Sequence, residues 1–398
     1  MERKIVGLVA AIVLVVAVAG GYVYWTLPQP KPEVEPIKIG FFTGVSGPAA
    51  LHCTRQVQAA TVAVDDINAQ GGVLGRPVRL IVADDQGDPL QGIACYRRLA
   101  TVDKVHIAVG SSWSSVTLPV LPETNVQKLV LFNAVCTHPD LGKLGGKGGN
   151  PYLFKLKITD DYFFAVFMDV LIRSVKAKTF YVLARDDDWG RACDPIIKKY
   201  AERFGGTVVG SAFYQVGETE FTPYLTKIKA LKPDGIIPMA SVDEDVMILK
   251  QWAALGLKDL GVNIYARSFE AGDWSKKLGW AVIEGVYGLA QYSMWLDTPK
   301  NKWFVEEYQK KTGVAPGINE GLVAMGMYII RDAIKAAGST NSEAIRAALA
   351  KGPFNEQITG MSLKFNEYNS ASGFVQVYKI EKGKGILIVS KTLEEIQL

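Results

Sequence analysis

The fold is indicated most clearly by the stretch Asp66-Ile67-Asn68-Ala69-Gln70-Gly71-Gly72-Val73-Leu74-Gly75-Arg76-Pro77, residues 66–77 of the chain. Before it, apolar residues recur every three or four positions from Val57 to Ile67, which predicts a helix with one apolar face. The pair Gly71-Gly72 supplies the backbone freedom that commonly ends a helix. After it, the short apolar run Val78–Ala83 predicts a strand. The stretch therefore joins a helix to a strand.

A second turn follows this strand, with the sequence Asp84-Asp85-Gln86-Gly87-Asp88-Pro89. Asp88 provides a side chain that can cap a helix, and Pro89 has the φ angle required at a first helical position. We expect a helix from Pro89 to about Val102. Upstream, Ile37–Phe42 predicts another strand, so strands and helices alternate. This alternation is typical of a parallel sheet with right-handed crossover connections.

The same alternation continues along the chain. Further strands are predicted at Ile107–Gly110, Leu129–Asn133, Thr179–Ala184, from Thr207, and at Gly235–Pro238. Further helices are predicted from about Ser114, from Asp160, after Trp189, and over Asp243–Leu255. The Gly-rich stretch Gly142–Gly149 predicts a surface loop between two α/β units in series.

Length and composition agree with two globular domains. The chain has 398 residues, more than one hydrophobic core usually holds, and 48% of them are apolar. The net charge is +4, and no long basic block interleaved with aromatic residues is present in the sequence. The chain therefore lacks the charge pattern of a nucleic-acid-binding protein, and no nucleic-acid partner is expected.

The N-terminus has the features of an export segment. Arg3 and Lys4 precede an uncharged apolar run, Ile5–Trp25. Residues 1–27 therefore predict either a signal peptide cleaved after small residues, or an uncleaved membrane anchor. The proline-rich residues 28–36 predict an extended linker. In both cases we expect the remainder to be extracytoplasmic, either anchored at the outer face of the cell membrane or periplasmic or secreted.

The stretches 66–77 and 84–89 resemble the signature of the Leu/Ile/Val-binding family. This family comprises the branched-chain amino-acid and amide solute receptors of ABC transporters, which have the type I periplasmic-binding-protein fold. Residues 37–51 are similar to the first strand and ligand loop of the family. The resemblance covers nearly everything after the linker.

This resemblance implies an α/β fold with two Rossmann-like parallel-sheet lobes joined by a three-stranded hinge. The N-terminal lobe would combine residues 37–157 with 289–365. The C-terminal lobe would combine residues 158–288 with 366–398. The chain would thus cross three times between the lobes, and closure about such a hinge is a known switching motion.

The resemblance also implies a substrate-binding protein that captures a small solute between the lobes and delivers it to the permease of an ABC transporter. An amino acid, an amide and an aromatic carboxylate are all candidate solutes. The alternative is a membrane-anchored sensor domain that signals ligand occupancy to a partner protein. Catalysis is not expected, because the nucleophile-elbow, dinucleotide-binding and phosphate-loop motifs are missing from the sequence, and no cofactor is implied.

Candidate ligand-binding residues lie on loops that follow predicted strands. Ser46 and Ser114 belong to loops of small and hydroxyl-bearing residues, which let a ligand approach backbone N–H groups at helix starts. Such residues are also common as simple caps and turns. By resemblance, Ser114 and Thr137 would bind an amino-acid head group. Trp189 would line the pocket, and Glu270 would meet a ligand ammonium.

Departures from the family pattern bear on the ligand. His52 and Ser241 stand where amino-acid binders often carry Tyr, and Trp113 stands where a smaller residue is common. Larger aromatic side chains favour a planar or aromatic solute, although each tryptophan could equally pack in a core. Arg267 and Trp274 are near enough to Glu270 in sequence to reach the same cleft.

Cysteine usage fits an oxidising compartment. By resemblance, Cys53 and Cys136 lie on neighbouring loops, and a disulfide between them is the leading interpretation. Zinc bound by His52, Cys53, Cys136 and His138 is the alternative, although no metal site is favoured. Cys95 and Cys193 fall on helices of different predicted lobes.

Overall fold

The computed structural model describes residues 34–47, 50–392 and 395. The predicted export segment lies outside the described residues, as does the predicted linker except for its last three residues. Within the described part of the chain, no helix is both long enough and apolar enough to cross a membrane.

The strands are numbered in chain order. Their bounds are β1 Ile37–Thr43, β2 Val78–Asp84, β3 Ile107–Gly110, β4 Leu131–Asn133, β5 Leu153–Lys155, β6 Thr179–Arg185, β7 Thr207–Tyr214, β8 Gly235–Met239, β9 Asn263–Ala266, β10 Tyr287–Ala290, β11 Phe354–Asn355, β12 Ser362–Leu363, β13 Phe374–Glu381 and β14 Lys384–Thr392. The strands predicted from the sequence are confirmed, with β4 beginning two residues later than expected.

The helices between these strands are numbered in the same way. Their bounds are α1 Ala50–Ala69, α2 Pro89–Thr101, α3 Ser114–Gln127, α4 Leu141–Leu144, α5 Asp160–Arg173, α6 Asp188–Phe204, α7 Thr222–Leu231, α8 Val242–Ala254, α9 Ala271–Leu278, α10 Trp280–Ile283, α11 Pro299–Thr312, α12 Ile318–Ala337 and α13 Ser342–Lys351. The alternation of strand and helix that the sequence predicts is therefore present.

The first sheet has the strand order β2-β1-β3-β4-β5, and all its neighbouring strands run parallel. Phe41 of β1 lies between Val82 of β2 and Val109 of β3 in register. This order follows from right-handed crossovers through α1, α2 and α3. The carboxyl ends of the strands consequently meet at one edge of the sheet.

The second sheet has the strand order β14-β13-β10-β9-β8-β6-β7. Strands β6 to β9 pair in parallel, and β10 pairs in parallel with β9. Strand β13 runs antiparallel to β10 and forms a hairpin with β14, which the sequence reading did not identify. Two largely parallel sheets with helical crossovers confirm the expected fold class.

Helices α11, α12 and α13 follow strand β10 of the second sheet, but they pack on the first sheet before the chain returns to the second at β13. The hydroxyl of Ser342 in α13 accepts from the N–H of Val130, 3.0 Å away. The ring of Phe365 lies edge-on against Phe154 of β5, with a centroid distance of 5.2 Å. The first sheet and its helices are therefore assembled from separate parts of the chain, as the predicted lobes require. The residues at which the lobes begin and end stay a prediction.

The helix starts show why these elements begin where they do. Asp88 accepts a hydrogen bond from the N–H of Gln91 at 2.8 Å, and Pro89 occupies the first helical position of α2. These contacts satisfy an otherwise unpaired donor of the first turn and confirm the predicted start. In α1, the predicted apolar face is buried at Ala60, Val64 and Ile67.

The Gly-rich stretch is not the simple surface loop that the sequence predicted. It contains the short helix α4, and its backbone lies against residues 367–368. A side chain at Gly146 would come within 2.2 Å of the carbonyl oxygen of Glu367. The N–H of Lys147 donates to that same oxygen at 2.7 Å. Glycine is required here by the close approach of two backbone segments.

Asp66, in the stretch 66–77, links three helices. Its Oδ2 atom accepts hydrogen bonds from the hydroxyl of Tyr328 in α12 at 2.9 Å and from the ammonium of Lys300 in α11 at 2.6 Å. Asp65, its neighbour on α1, is largely exposed and lies 3.4 Å from Lys311. Asp66 therefore links α1 to both α11 and α12.

We predict that Asp66→Ala lowers the free energy of unfolding by about 1.5–3 kcal/mol, the range typical of hydrogen bonds to charged groups. The matched control Asp65→Ala should change the free energy by less than about 0.5 kcal/mol, because its partner is solvent-exposed. Urea unfolding followed by fluorescence measures both values. Equal losses for the two variants would contradict the role assigned to Asp66.

Candidate ligand-binding site

One polar cavity lies where the carboxyl ends of strands from both sheets meet. It encloses about 740 Å³ of empty space, part of which is open to solvent. Its wall is built from residues that follow β3, β4, β5, β6, β8 and β9, with additions from α1 and α12. Loops at this edge of parallel sheets are a preferred place for ligands. The lining residues are His52, Ser112, Trp113, Ser114, Ser115, Val135, Cys136, Thr137, Lys157, Arg185, Asp187, Trp189, Ala240, Ser241, Val242, Asp245, Arg267, Ser268 and Asn319.

Most of the residues proposed from the sequence are brought together here. The cavity is lined by six of the eight candidates, namely His52, Trp113, Ser114, Thr137, Trp189 and Ser241. Ser46 is not among them, because its exposed hydroxyl donates to Asp84 at the end of β2. Arg267, suggested by its sequence position, does line the cavity.

Glu270 does not line the cavity, contrary to expectation. It is only 3% exposed, and its Oε2 atom accepts from the N–H of Ile318 at the start of α12, 3.3 Å away. Burial, together with the nearby carboxylate of Glu320, raises the pKa of Glu270 to about 8. Trp274 is fully buried and lies edge-on against Phe269, so it is a core residue. Both side chains lie outside the lining because adjacent elements cover them.

The start of α3 carries unsatisfied backbone donors at the cavity wall. Trp113 is the N-cap residue, and its side chain makes no capping hydrogen bond. No group in the described part of the chain accepts from the N–H groups of Ser114 and Ser115. The first N–H groups of a helix lack partners within the helix, and the helix dipole adds positive potential there. This end of the cavity therefore favours a negatively charged group.

Aromatic rings and a guanidinium form a stack across the cavity. The guanidinium carbon of Arg185 lies 4.8 Å from the ring centre of Trp113 and 5.4 Å from that of Trp189. Trp113 follows β3 of the first sheet, whereas Arg185 ends β6 of the second. The Nε atom of Arg185 donates to Asp187 at 2.9 Å, which compensates its charge. The stack therefore joins residues that belong to different sheets.

A second buried ion pair supports the same wall. Asp160, which is fully buried, accepts from Nε of Arg267 at 2.8 Å and from Nε1 of Trp189 at 2.6 Å. Its own N–H donates to the carbonyl of Thr137, 3.0 Å away. Asp160 thus fixes three lining residues at once without lining the cavity itself.

Lys157 and Asp245 complete the charged groups of the wall. The ammonium of Lys157 donates to Oδ1 of Asn319 at 2.7 Å. Desolvation, together with the charge of Arg267, lowers the pKa of Lys157 well below its ordinary value. Burial, together with Glu244 and Glu270, raises the pKa of Asp245 well above its ordinary value. Both groups are therefore shifted toward their neutral forms.

The sequence analysis did not predict five further lining residues, namely Arg185, Asp187, Asp245, Lys157 and Asn319. Arg185 and Asp187 follow a predicted strand and Asp245 lies in the first turn of a predicted helix, so their position was the available signal. Lys157 follows β5, a strand that was not predicted. Asn319 gave no such signal, because α12 is far away in sequence and reaches the cavity only through the tertiary fold.

With this geometry established, comparison with known proteins identifies the family. A family model described as "Periplasmic binding protein" matches residues 36–384. The chain belongs to the periplasmic binding protein family. The resemblance to its Leu/Ile/Val-binding branch is confirmed, and the members of this family are solute-binding proteins rather than enzymes. Membership also implies an extracytoplasmic location.

Relatives and solved structures agree with this assignment. The Leu/Ile/Val-binding protein BraC3 of Rhizobium johnstonii is 25% identical over 352 residues, covering 87% of this chain and 92% of the relative. A Pseudomonas aeruginosa protein that binds leucine, isoleucine, valine, threonine and alanine is 26% identical over 345 residues, covering 85% and 88%.

Two solved structures show the same type I fold. A solute-binding protein of an ABC transporter from Rhodopseudomonas palustris, in complex with 3,4-dihydroxybenzoic acid, superposes with a TM-score of 0.80 at 20% identity, covering 90% of this chain and 98% of that chain. The LivJ protein of Streptococcus pneumoniae, in complex with isoleucine, has a TM-score of 0.78 at 23% identity, covering 90% and 99%. One fold therefore holds both aromatic acids and aliphatic amino acids in different proteins.

The predicted disulfide is not formed in the structure. Cys53 and Cys136 are both free and buried. The thiol of Cys136 instead donates to the carbonyl of Ser111 at 3.1 Å. The zinc alternative has no support either, since no group of three or more His, Cys, Asp or Glu residues within the described ranges could hold a metal ion. His138 lies apart from the cavity lining, where its Nδ1 accepts from the N–H of Asp140.

We predict that alkylation of the denatured chain without reductant adds four groups, one for each free cysteine. In the native state Cys95 should be the main reactive thiol and should react slowly. It is partly exposed, but desolvation and nearby Asp85 raise its pKa to about 11, so little thiolate exists at pH 8. Intact mass spectrometry counts the adducts, and a reductant-treated sample is the control. Two adducts without reductant and four adducts with reductant would instead show that the chain contains one disulfide.

Proposed function

We propose that the chain is the extracytoplasmic substrate-binding protein of an ABC transporter and that its solute is a small aromatic carboxylate. The solute would occupy the polar cavity and be delivered from there to the permease. The observation that carries this proposal is the pairing of unsatisfied N–H groups at the start of α3 with a tryptophan–arginine–tryptophan stack in the same wall.

The carboxylate is assigned to the start of α3. The N–H groups of Ser114 and Ser115 and the hydroxyls of Ser114 and Thr137 line this part of the cavity. Hydrogen bonds from such groups to a charged oxygen are among the stronger ones in proteins. Burial shifts Lys157 toward its neutral form, and a bound anion would favour its charged form.

The aromatic character of the solute follows from the charges and rings of the wall. An α-amino acid needs an acceptor for its ammonium, but the carboxylate of Asp187 is held by Arg185 and burial shifts Asp245 toward its neutral form. Glu270 is turned away against α12. Trp113 and Trp189 line the cavity, so the ring of a solute can pack against an aromatic wall. These features favour an aromatic acid over an amino acid.

The location and partners are part of the same proposal. The apolar residues 5–25 and the proline-rich residues 28–36 support export, with the segment either cleaved or kept as a membrane anchor. Relatives that serve ABC transporters support a permease as the partner that receives the solute. The comparisons do not favour the sensor alternative.

We predict that isothermal titration calorimetry on the full chain detects binding of benzoate or a hydroxybenzoate. Leucine, isoleucine and valine should bind at least about tenfold more weakly, because each lacks the ring and brings an ammonium without an acceptor. Tighter binding of an aliphatic amino acid would contradict the proposed solute class. Absence of binding by every carboxylate would contradict the proposed function itself.

We further predict that Trp189→Ala weakens binding of the aromatic acid by tenfold or more, because it removes one face of the stack and a partner of Asp160. Ser114→Ala should also weaken binding, through loss of one hydroxyl at the carboxylate. Trp280→Ala is the matched control, since Trp280 is 37% exposed and does not line the cavity. The same calorimetric titration measures all three. Unchanged affinity in both cavity variants would contradict the proposal that the solute binds in the polar cavity.

A further inference from the structure

We propose that His52 is a specificity-determining residue whose Nδ1–H donates a hydrogen bond to an oxygen of the bound solute. The inference rests on the proposed function, because it names how the same cavity selects among carboxylates. It depends on a hydrogen-bond network that fixes which ring nitrogen of His52 carries the proton.

One side of the network begins at the hydroxyl of Ser112, which donates to Oε1 of Gln56 at 2.7 Å. The amide nitrogen of Gln56 lies 2.8 Å from Nε2 of His52. An amide nitrogen only donates, so Nε2 accepts.

The other side of the network leads to the same atom. Nζ of Lys157 donates to Oδ1 of Asn319 at 2.7 Å. The amide nitrogen of Asn319 lies 3.4 Å from Nε2 of His52. Two amide nitrogens therefore lie near Nε2, and the closer one, that of Gln56, donates to it. A neutral histidine that accepts at Nε2 carries its proton on Nδ1.

Among the described residues, none accepts a hydrogen bond from Nδ1 of His52, and the residue lines the polar cavity. A donor at a cavity wall favours a ligand that supplies an acceptor, since a donor left unpaired on ligand binding is costly. The solute is the group that can supply the acceptor.

The surroundings of His52 keep the ring neutral. Desolvation lowers its pKa to about 4, and the charges of Lys157, Arg55 and Arg185 act in the same direction, against the opposing effect of Asp243. A lowered pKa means that the neutral form prevails at any pH above about 5. His52 thus acts as a donor of fixed direction across the physiological range rather than as a charged group.

The other two histidines differ from His52 in a way that permits a direct test. Nδ1 of His106 accepts from the N–H of Lys38 at 2.9 Å, and Nδ1 of His138 accepts from the N–H of Asp140 at 3.3 Å. In their neutral forms both rings therefore carry the proton on Nε2. Of the three histidines in the sequence, His52 alone should show a protonated Nδ1 and an unprotonated Nε2.

The chemical consequence concerns the substituents of the solute. A fixed N–H donor pairs with a hydroxyl, ether or carbonyl oxygen but not with an ammonium or an aromatic amine, whose nitrogen is a poor acceptor. A hydroxybenzoate should therefore bind better than the aminobenzoate with the same substitution pattern. Sites built to pair with a particular polar group discriminate strongly against analogues that leave that group unpaired.

The first experiment is long-range proton–nitrogen NMR on the full chain labelled with ¹⁵N-histidine, recorded between pH 8 and pH 5. We expect one ring in the Nδ1-protonated form that does not titrate over this range, and its signals should disappear in His52→Asn. Absence of an Nδ1-protonated ring, or titration of the His52 signals near pH 6.5, would overturn the inference. This readout needs no ligand.

The second experiment compares two substitutions by calorimetry. Glutamine places its amide near the position of Nε2 and asparagine places its amide near that of Nδ1, so His52→Asn retains a donor that His52→Gln lacks. Each variant is titrated with the hydroxybenzoate isomer that binds best and with the aminobenzoate of the same substitution pattern. The ratio of these two affinities should fall about tenfold in His52→Gln and change less than threefold in His52→Asn.

The outcomes separate the two proposals. If the unmodified chain binds no carboxylate at all, the proposed function fails. If it binds benzoates but shows no preference for hydroxyl over amino substituents, or keeps its full preference in His52→Gln, the role of His52 fails while the function stands. Should His52→Gln not fold, the tautomer seen by NMR and the preference of the unmodified chain still decide.

Discussion

The polar cavity depends on one buried carboxylate, that of Asp160. A buried charge is stable only when it is paired and hydrogen-bonded, and Asp160 meets this condition through the guanidinium of Arg267 and the indole N–H of Trp189. Both partners belong to the wall, so their positions are set by the need to compensate Asp160. The guanidinium of Arg185 lies near the ring of Trp189 and also near that of Trp113. A single ion pair therefore orders a wall that extends from the second sheet to the first.

Other contacts fix the distance between the two sides of the cavity. Arg55 of α1 forms a 2.7 Å ion pair with Asp273 of α9, and Glu270 accepts from the start of α12. The residues of these pairs do not line the cavity. The acidic residue that resembles an ammonium-binding group of the family thus accepts from a backbone N–H of α12 instead.

The sequence was sufficient for the alternation of elements, because helix ends and strand starts are encoded locally. The stretch at residues 66–77 and the cap at Asp88 gave the correct boundaries around β2. The chemistry of the loops after β3 and β6 was also readable, which is why Trp113, Ser114 and Trp189 were found. The prediction of these loop residues rests on the rule that the carboxyl ends of parallel strands converge at one edge of a sheet.

What the sequence could not supply depends on contacts between distant segments. Ser46 has the right chemistry on the right kind of loop, but a neighbouring carboxylate at Asp84 takes its hydroxyl. The role of Asn319 could not be read, since it arises only when α12 returns to the first sheet. The tautomer of His52 requires Gln56, Asn319 and Lys157 to be known together. The local sequence pattern predicts that a residue lies near a site, whereas the hydrogen bonds around that residue determine its role there.

The most direct measurement is a crystal structure of the full chain with the benzoate-type ligand that binds best. The account predicts that the ligand carboxylate lies within hydrogen-bond distance of the N–H groups of Ser114 and Ser115. The ring of the ligand should lie against Trp113 or Trp189. A ligand bound outside the polar cavity, or one whose carboxylate points away from the start of α3, would contradict the central claim.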